Sequence, residues 1–245
     1  MYIAVIPIKG NINQRMQRSI VPIIRYASAR KKVAGAILHI NSGGGDAVSS
    51  ELIYNECVEL SRKKPLYAYI EGIGASGAYW ISMASQKIFA FNSSIVGSIG
   101  VISIMPNISN FLQKIGIRVD TIKMGMYKDS LSPFSTDDHG KEIIENIIRE
   151  SYDRFVELVS NKRNISMEDM KEIAQGQVFS VGESLRRKLI DASGTLKDVV
   201  DDISLKTRGV KKVRFMEPKV PVFQRLIQGI SSAMIGELSD TLNQY

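Results

Sequence analysis

The sequence predicts an α/β fold with a largely parallel central sheet. Short apolar runs typical of buried strands alternate with stretches of helical periodicity, which favours repeated βα units. The 245 residues are enough for one substantial core, and the composition, 44% hydrophobic and 23% charged, is ordinary for a globular domain. The fold class therefore rests on alternation, length and composition together.

The predicted elements alternate along the chain. Strands are expected at 2–8, 34–41, 65–71, 87–91, 98–104 and 117–123. Helices are expected at 13–30, 46–62, 77–85, 107–115, 137–162, 167–174 and 181–188. The helix at 137–162 has the clearest signal, because Asp137 and Asp138 stand at its start and apolar residues follow at helical spacing.

The chain is expected to divide into a main domain, 1–210, and a C-terminal segment, 211–245, made of a strand and a helical tail. Pro218 and Pro221 mark the break between that strand and the tail. Apolar residues then recur at helical spacing, at Phe223, Leu226, Ile227, Ile230, Met234, Leu238 and Leu242. We expect this helix to pack on its own subunit or on a neighbour. A helix on a membrane surface and a disordered tail remain alternatives, the first weakened because Arg225 is one of few cations near it.

The charge pattern excludes some function classes. The net charge is +7, but the cations form short clusters such as 30–32 and 186–188, which are typical of solvated faces, so nucleic-acid binding is not predicted. A mild attraction to an anionic membrane surface remains an alternative. The sequence has no run of 18 apolar residues, and its first ten residues are typical of a strand rather than a signal peptide. A cytoplasmic or membrane-associated location is expected.

Cysteine, metal and cofactor chemistry have little support in the sequence. The single cysteine, Cys57, excludes an intrachain disulfide and lies in a helical pattern typical of a small core residue. The glycine-rich segments fit neither a P-loop nor a dinucleotide-binding fingerprint. We expect no metal ion and no cofactor.

The most informative feature is a serine, Ser76, on a turn of small residues at 72–78. An apolar run at 65–70 precedes the turn, and a helical pattern begins near Ala78. Small residues let backbone and substrate approach the hydroxyl closely. A helix beginning just after Ser76 would direct free backbone N–H groups and a positive dipole end at it. The pattern indicates a nucleophilic serine.

A nucleophilic serine needs a base that removes its proton. The two histidines give weak support for a triad, because His39 lies in a buried-strand pattern and His139 opens the long helix. A lysine can serve when it is neutral, which requires its pKa to fall by roughly 3 units, or about 4–5 kcal/mol. Lys128 follows an apolar run and Gly125, but its position alone would leave it on the surface.

Five segments resemble one family of proteases. They lie in the family's order, at 40–45, 72–80, 97–101, 127–129 and 176–191. Together they resemble the serine–lysine proteases of peptidase family S49, the signal peptide peptidase A group, over residues 2 to about 205. The spacing from Ser76 to Lys128, 128 − 76 = 52 residues, is similar to that of the short, single-domain members.

The resemblance implies a fold and a mechanism. The fold is that of the Clp proteases and crotonases, with repeated ββα units around a parallel core sheet. Ser76 is implied as the nucleophile, Lys128 as the general base through a covalent acyl-enzyme, and Ser98 as the residue that holds the lysine. Backbone N–H groups for the oxyanion are implied at Gly43, Gly44, Gly45 and Gly77.

The resemblance also implies partners. The substrate would be an extended peptide with small or apolar side chains near the cleaved bond, such as part of a released signal peptide. Family members form rings with the sites facing inward, so a homo-oligomer is implied.

Three features depart from the family pattern. Gly43 stands where proline is usual, which loosens the loop but keeps its N–H groups available. Lys188 stands where glycine is common, a change expected to be harmless. The N-terminal membrane anchor typical of the family does not occur in this sequence, which leaves the location open.

Other functions remain open at this point. Residues 64–72 also resemble a crotonase segment, so an acyl-CoA lyase or isomerase is an alternative, although crotonases normally have glycine in place of Ser76. A non-catalytic oligomeric scaffold is a second alternative. A Clp-type triad would need a histidine soon after the serine, and residues 95–110 contain none. In the related stomatin-partner proteases the lysine lies nearer the serine, which would favour Lys114 as the base.

Overall fold

The centre of the molecule is a single sheet. The computed structural model describes residues 1–134 and 139–217. In this part eight strands form the sheet: β1 (Tyr2–Lys9), β2 (Val33–Ser42), β3 (Leu66–Ala75), β4 (Lys87–Ala90), β5 (Ile95–Gly97), β6 (Val178–Ser180), β7 (Ala192–Ser193) and β8 (Val213–Phe215). The order is β6-β5-β3-β2-β1-β8, with β4 beside β3 and β7 beside β4. Its pairs are parallel except β5–β6, which is antiparallel.

Eight helices connect and cover these strands in the described ranges. They are α1 (Gln14–Ala29), α2 (Ala47–Ser61), α3 (Gly77–Ser82), α4 (Ser109–Lys114), α5 (His139–Arg163), α6 (Met167–Ile173), α7 (Val181–Arg186) and α8 (Leu196–Lys206). Side chains of Asn13 and Asp46 accept hydrogen bonds from the first turns of α1 and α2, which fixes where these helices begin. None of the helices in these ranges is long and apolar enough to span a membrane.

The two faces of the sheet bury different cores because side chains alternate along each strand. On one face, residues such as Ile6, Leu38 and Ile70 join the larger core, which includes residues of α1, α2, α3 and α5. Cys57 lies fully buried in this core, as predicted, and burial raises the pKa of its thiol. On the other face Ile37 and its neighbours pack against α8.

Most predicted helices and the first four strands are confirmed with ends shifted by up to four residues. Two predicted strands are wrong: residues 98–104 and 117–123 have no regular secondary structure. The strand at 98–104 fails because β5 ends at Gly97, where φ is 121°, and Ser98 follows with φ of 50°. The apolar residues of 117–123 face outward, so their alternation does not report a buried face. Helix α8 and the short strands β5, β6 and β7 were not predicted.

The C-terminal segment is described only up to residue 217. Its strand, β8, pairs with β1 at the edge of the main sheet. The amphipathic helix predicted beyond Pro218 lies outside the described residues, and the division at residue 210 stays a prediction.

Candidate active site

Ser76 stands at a sharp turn between β3 and α3. Its φ of 52° and ψ of −125° are a conformation that residues with a Cβ rarely adopt. The backbone holds it there, since Ser76 N–H donates to the Gly97 carbonyl at 2.9 Å and its own carbonyl accepts from Trp80 N–H at 2.9 Å. A strained strand-to-helix turn is the geometry in which hydrolases expose a nucleophilic serine.

Glycines allow a second loop to lie directly against this serine. A Cβ on Gly44 would lie 2.6 Å from Ser76 Cβ and 2.9 Å from the Ala75 carbonyl oxygen. A Cβ on Gly77 would lie 2.2 Å from Ser50 Oγ. The glycines therefore bring the backbone of the β2–α2 loop into contact with the turn, as a site for a tetrahedral oxyanion requires.

The predicted oxyanion donors differ in their availability. Gly44 N–H donates to the buried Ser42 Oγ at 3.1 Å, so it is already bonded. Gly77 is the first residue of α3, where N–H groups have no partner within the helix. Gly45 N lies 3.6 Å from the Cβ position of Gly77, and neither Gly43 N–H nor Gly45 N–H has a hydrogen bond within the described ranges. Gly45 and Gly77 are therefore the best-placed pair.

Ser76 lines a cavity of about 490 Å³. Ser98, the residue implied to hold the lysine, lines the same cavity. The lining residues are Ser76, Ser98, Gly100, Val101, Ile102, Tyr152, Ala174, Gln175 and Gly176. None of these side chains carries a charge at neutral pH. The cavity therefore suits an uncharged group next to the serine.

Part of the cavity lining comes from parts of the chain that sequence patterns did not single out as site residues. Tyr152 on α5 donates its hydroxyl to the Ala174 carbonyl at 3.0 Å. Ser98 N–H donates to the Gln177 carbonyl at 2.7 Å, which draws the 174–177 segment against the end of β5. The only sequence signal here was the family-like motif beginning at Gly176, which carries no indication that it faces the serine.

The structure does not bring Lys128 to Ser76 within one chain. Lys128 is exposed in a turn, where its backbone N–H donates to the Gly125 carbonyl at 3.3 Å. It does not line the cavity at Ser76, and no hydrogen bond joins it to Ser76 in the part of the chain that is described. The other candidate lysine, Lys114, is exposed at the end of α4.

The histidines take no part in this cavity as far as the structure describes them. His39 is 7% exposed, stacks on Tyr69, and has Nε2 at 2.9 Å from Glu71 Oε2, a contact with ion-pair distance but without hydrogen-bond alignment. Burial lowers the pKa of His39, against the opposing effect of the Glu71 carboxylate. The core role predicted for His39 fits this setting. The His139 side chain lies outside the described residues.

Comparison with solved structures identifies the fold. A ClpP1 mutant from Listeria monocytogenes superposes with a TM-score of 0.57 over 79% of this chain and 92% of that chain, at 16% identity. At this identity the likeness concerns the fold alone. It confirms the predicted Clp-like α/β architecture.

Comparison with known sequences identifies the family. The model of peptidase family S49 matches residues 58–210, and that of the Clp proteases matches residues 3–97. A protein of Methanocaldococcus jannaschii named as a protease is 39% identical over 69% of this chain and 54% of its own length. The chloroplastic serine protease SPPA of Arabidopsis thaliana is 32% identical over 87% of this chain and 32% of its own length, and Protease 4 of Haemophilus influenzae is 32% identical over 75% and 30%.

The chain thus spans about half or less of the length of these relatives. The S49 model nevertheless matches well over half of the chain, and that match includes both Ser76 and Lys128. The protein therefore belongs to peptidase family S49.

Proposed function

We propose that the protein is a serine endopeptidase that cleaves peptides through a Ser76–Lys128 dyad. The observation that carries the proposal is the strained Ser76 turn, which opens into an uncharged cavity beside the unbonded Gly45 and Gly77 N–H groups. Family membership supports the reaction class, and this geometry supports Ser76 as the nucleophile with a place for the oxyanion beside it.

The chemistry would proceed in two halves. Ser76 Oγ attacks the peptide carbonyl carbon while its proton moves to neutral Lys128 Nζ, and the oxyanion is held by backbone N–H groups, each worth about 3–4 kcal/mol in comparable sites. The C–N bond then breaks, and the Lys128 ammonium protonates the leaving amine. In the second half a water attacks the acyl carbon while Lys128 accepts its proton. The C–O bond to Ser76 then breaks, the Lys128 ammonium returns the proton to Ser76 Oγ, and the product leaves with its new carboxyl group.

Lys128 has to approach Ser76 for this mechanism to operate. It lies on the segment 98–134, whose apolar side chains are widely exposed, among them Ile102, Ile104, Phe111, Ile122, Met124 and Leu131. Contiguous exposed apolar surface marks an interaction site. We propose that a second copy of the chain covers this segment, and that covering it also removes water from around the Lys128 side chain.

The cavity lining supports a substrate class. Because the side chains that surround Ser76 and Ser98 are uncharged, a small or apolar residue next to the cleaved bond would bind there without burying an unpaired charge. Peptides similar to the hydrophobic part of a signal peptide meet this requirement.

Hydrolysis of a quenched fluorescent peptide with alanine and leucine around the cleaved bond tests the dyad. Lys128→Ala is expected to lower kcat/KM by about 100- to 10,000-fold, the range typical of losing a general base. Lys114→Ala, which removes another exposed lysine of the same segment, is the matched control and should retain the unaltered rate. Turnover by Lys128→Ala at the unaltered rate would contradict the dyad, and binding of an acyl-CoA without peptide turnover would favour the lyase alternative.

A further inference from the structure

Strand β3 changes its partners a few residues before Ser76. Residues 67–70 pair with β4, whereas 73–75 pair with β5. At the same point the register with β2 shifts, because Ile40 lies opposite Ile70 but Ser42 lies opposite Gly74. The single residue between them on β2, Asn41, thus faces three residues of β3. Such bulges redirect a strand and often lie beside active sites.

The Asn41 side chain bridges this irregularity. Its Oδ1 accepts a hydrogen bond from the Ile73 N–H at 3.1 Å. A Cβ on Gly72 would lie 2.7 Å from the same oxygen, so glycine at that position leaves room for the carboxamide. The Asn41 carbonyl also accepts from Gly10 N–H at 3.0 Å, which ties the end of β1 to the same point.

The opposite side of the bend is held independently. Ser94, which is 2% exposed, donates its hydroxyl to the Ile70 carbonyl at 2.9 Å, and Phe91 N–H donates to the same carbonyl at 2.8 Å. The irregular stretch of β3 is therefore fixed from both neighbouring sides, as a strand that must aim one residue requires.

The candidate site lies directly beyond the Asn41 bridge on both strands. On β2 the next residue is Ser42, which binds Gly44 N–H, and the loop continues to Gly45. After Ile73, β3 continues through Gly74 and Ala75, and Ser76 follows at the turn. We infer that Asn41 is a positioning residue that sets the distance between Ser76 and the oxyanion loop. This inference rests on the proposed peptidase function.

The test compares Asn41→Ala with Asn41→Asp, which keeps an oxygen able to accept from Ile73 N–H. Asn41→Ala is expected to lower kcat by about ten- to a hundredfold, a range seen for misplaced reacting groups, with KM within about twofold. Asn41→Asp should recover most of the loss. Asn55→Ala, at an exposed asparagine on α2, is the matched control and should leave kcat unchanged.

Two results on the variants would overturn the inference: an unchanged kcat in Asn41→Ala, or an equal loss of kcat in both Asn41 variants. A third would be an Ile73 amide that exchanges its hydrogen in the unaltered protein as fast as an unprotected amide does. The exchange measurement needs no variant, so it decides the matter even where Asn41→Ala does not fold. It also needs no activity. An unaltered protein that hydrolyses no peptide but protects the Ile73 amide would refute the proposed function and leave the Asn41 bridge intact.

Discussion

At the scale of single residues, the backbone at Ser76 is the feature on which the site depends. A residue with a Cβ at φ of 52° and ψ of −125° stores strain, of the order of 1–3 kcal/mol in comparable cases. Such strain persists when the surrounding contacts hold the turn and the conformation serves a purpose. Here it presents Oγ to the cavity.

Replacing Ser76 by glycine or by alanine separates the effect of backbone strain on stability from the effect of the hydroxyl on catalysis. Both variants are expected to be inactive, because both lack the nucleophile. Ser76→Gly should be more stable than Ser76→Ala by about 1 kcal/mol, because only glycine adopts this conformation without a Cβ penalty. Urea denaturation of the two variants measures the difference, and equal stability would show that the turn is not strained.

A proline substitution at Gly43 tests which backbone N–H groups bind the oxyanion. Its φ lies outside the left-handed region, a Cβ there would meet nothing within 4 Å, and Ser42 before it is in a strand, so proline should be tolerated. Gly43→Pro removes that N–H but leaves those of Gly45 and Gly77. We expect a kcat within about threefold of the unaltered protein, well below the 100- to 1,000-fold cost of a lost oxyanion donor. A hundredfold loss in the folded variant would assign the oxyanion to Gly43.

At the scale of elements, the end of α5 is clamped to the segment after α7. Arg163 donates two hydrogen bonds of 3.0 Å to the Asp191 carboxylate and one of 2.7 Å to the Lys188 carbonyl. Asp191 also accepts from Ile88 N–H at 2.7 Å, which joins β4 to the same cluster. Because α5 also carries Tyr152, this clamp supports one wall of the cavity.

Lys188 lies at the centre of that clamp with φ of 59°, a conformation that glycine adopts freely. The prediction that lysine is harmless here concerns function, and the structure adds a cost in stability. Lys188→Gly should raise the free energy of unfolding by about 1 kcal/mol, whereas Lys188→Ala, which keeps a Cβ, should not. Thermal and urea denaturation of the two variants measure this difference in the free energy of unfolding. A gain in the alanine variant would show that charge, not the backbone, limits stability.

The prediction of helices and strands succeeded where the apolar periodicity of the sequence coincides with a buried face in the structure. The helix at 47–61 and the strands that line the core follow from their apolar spacing alone. The stretches 98–104 and 117–123 misled the pattern, because β5 ends just before the first and the apolar residues of the second are exposed. Asn41 lies in the family-like segment 40–45, but the role inferred for it could not be predicted, since that role depends on a register shift between β2 and β3. Ser76 could be identified from the sequence, because a turn of small residues before a helix is a local signal.

At the scale of the whole molecule, the two residues of the proposed dyad lie apart within one chain. Ser76, Ser98 and the glycine loop lie together, while Lys128 lies exposed on the segment 98–134. The sequence position of Lys128 already favoured a place on the surface, and under the proposed function a second copy of the chain would bring it to a serine.

Mixing two inactive variants tests whether assembly completes the site. If Lys128 of one copy serves Ser76 of another, Ser76→Ala mixed and reassembled with Lys128→Ala should hydrolyse peptide, although each alone does not. Light scattering should show that the mixture forms the same oligomer as the unaltered protein. Mixed oligomers without any activity would indicate that Lys128 activates Ser76 of its own chain.

The central claim, that Ser76 is a nucleophile activated by Lys128, is tested most directly by labelling with a fluorophosphonate. Mass spectrometry of the digested protein is expected to find the label on Ser76 in the unaltered protein, and in Lys114→Ala at a similar rate. Ser76→Ala should carry none and Lys128→Ala almost none. An unaltered, folded and assembled protein that takes no label at Ser76, or a Lys128→Ala variant that is labelled at the unaltered rate, would contradict the account.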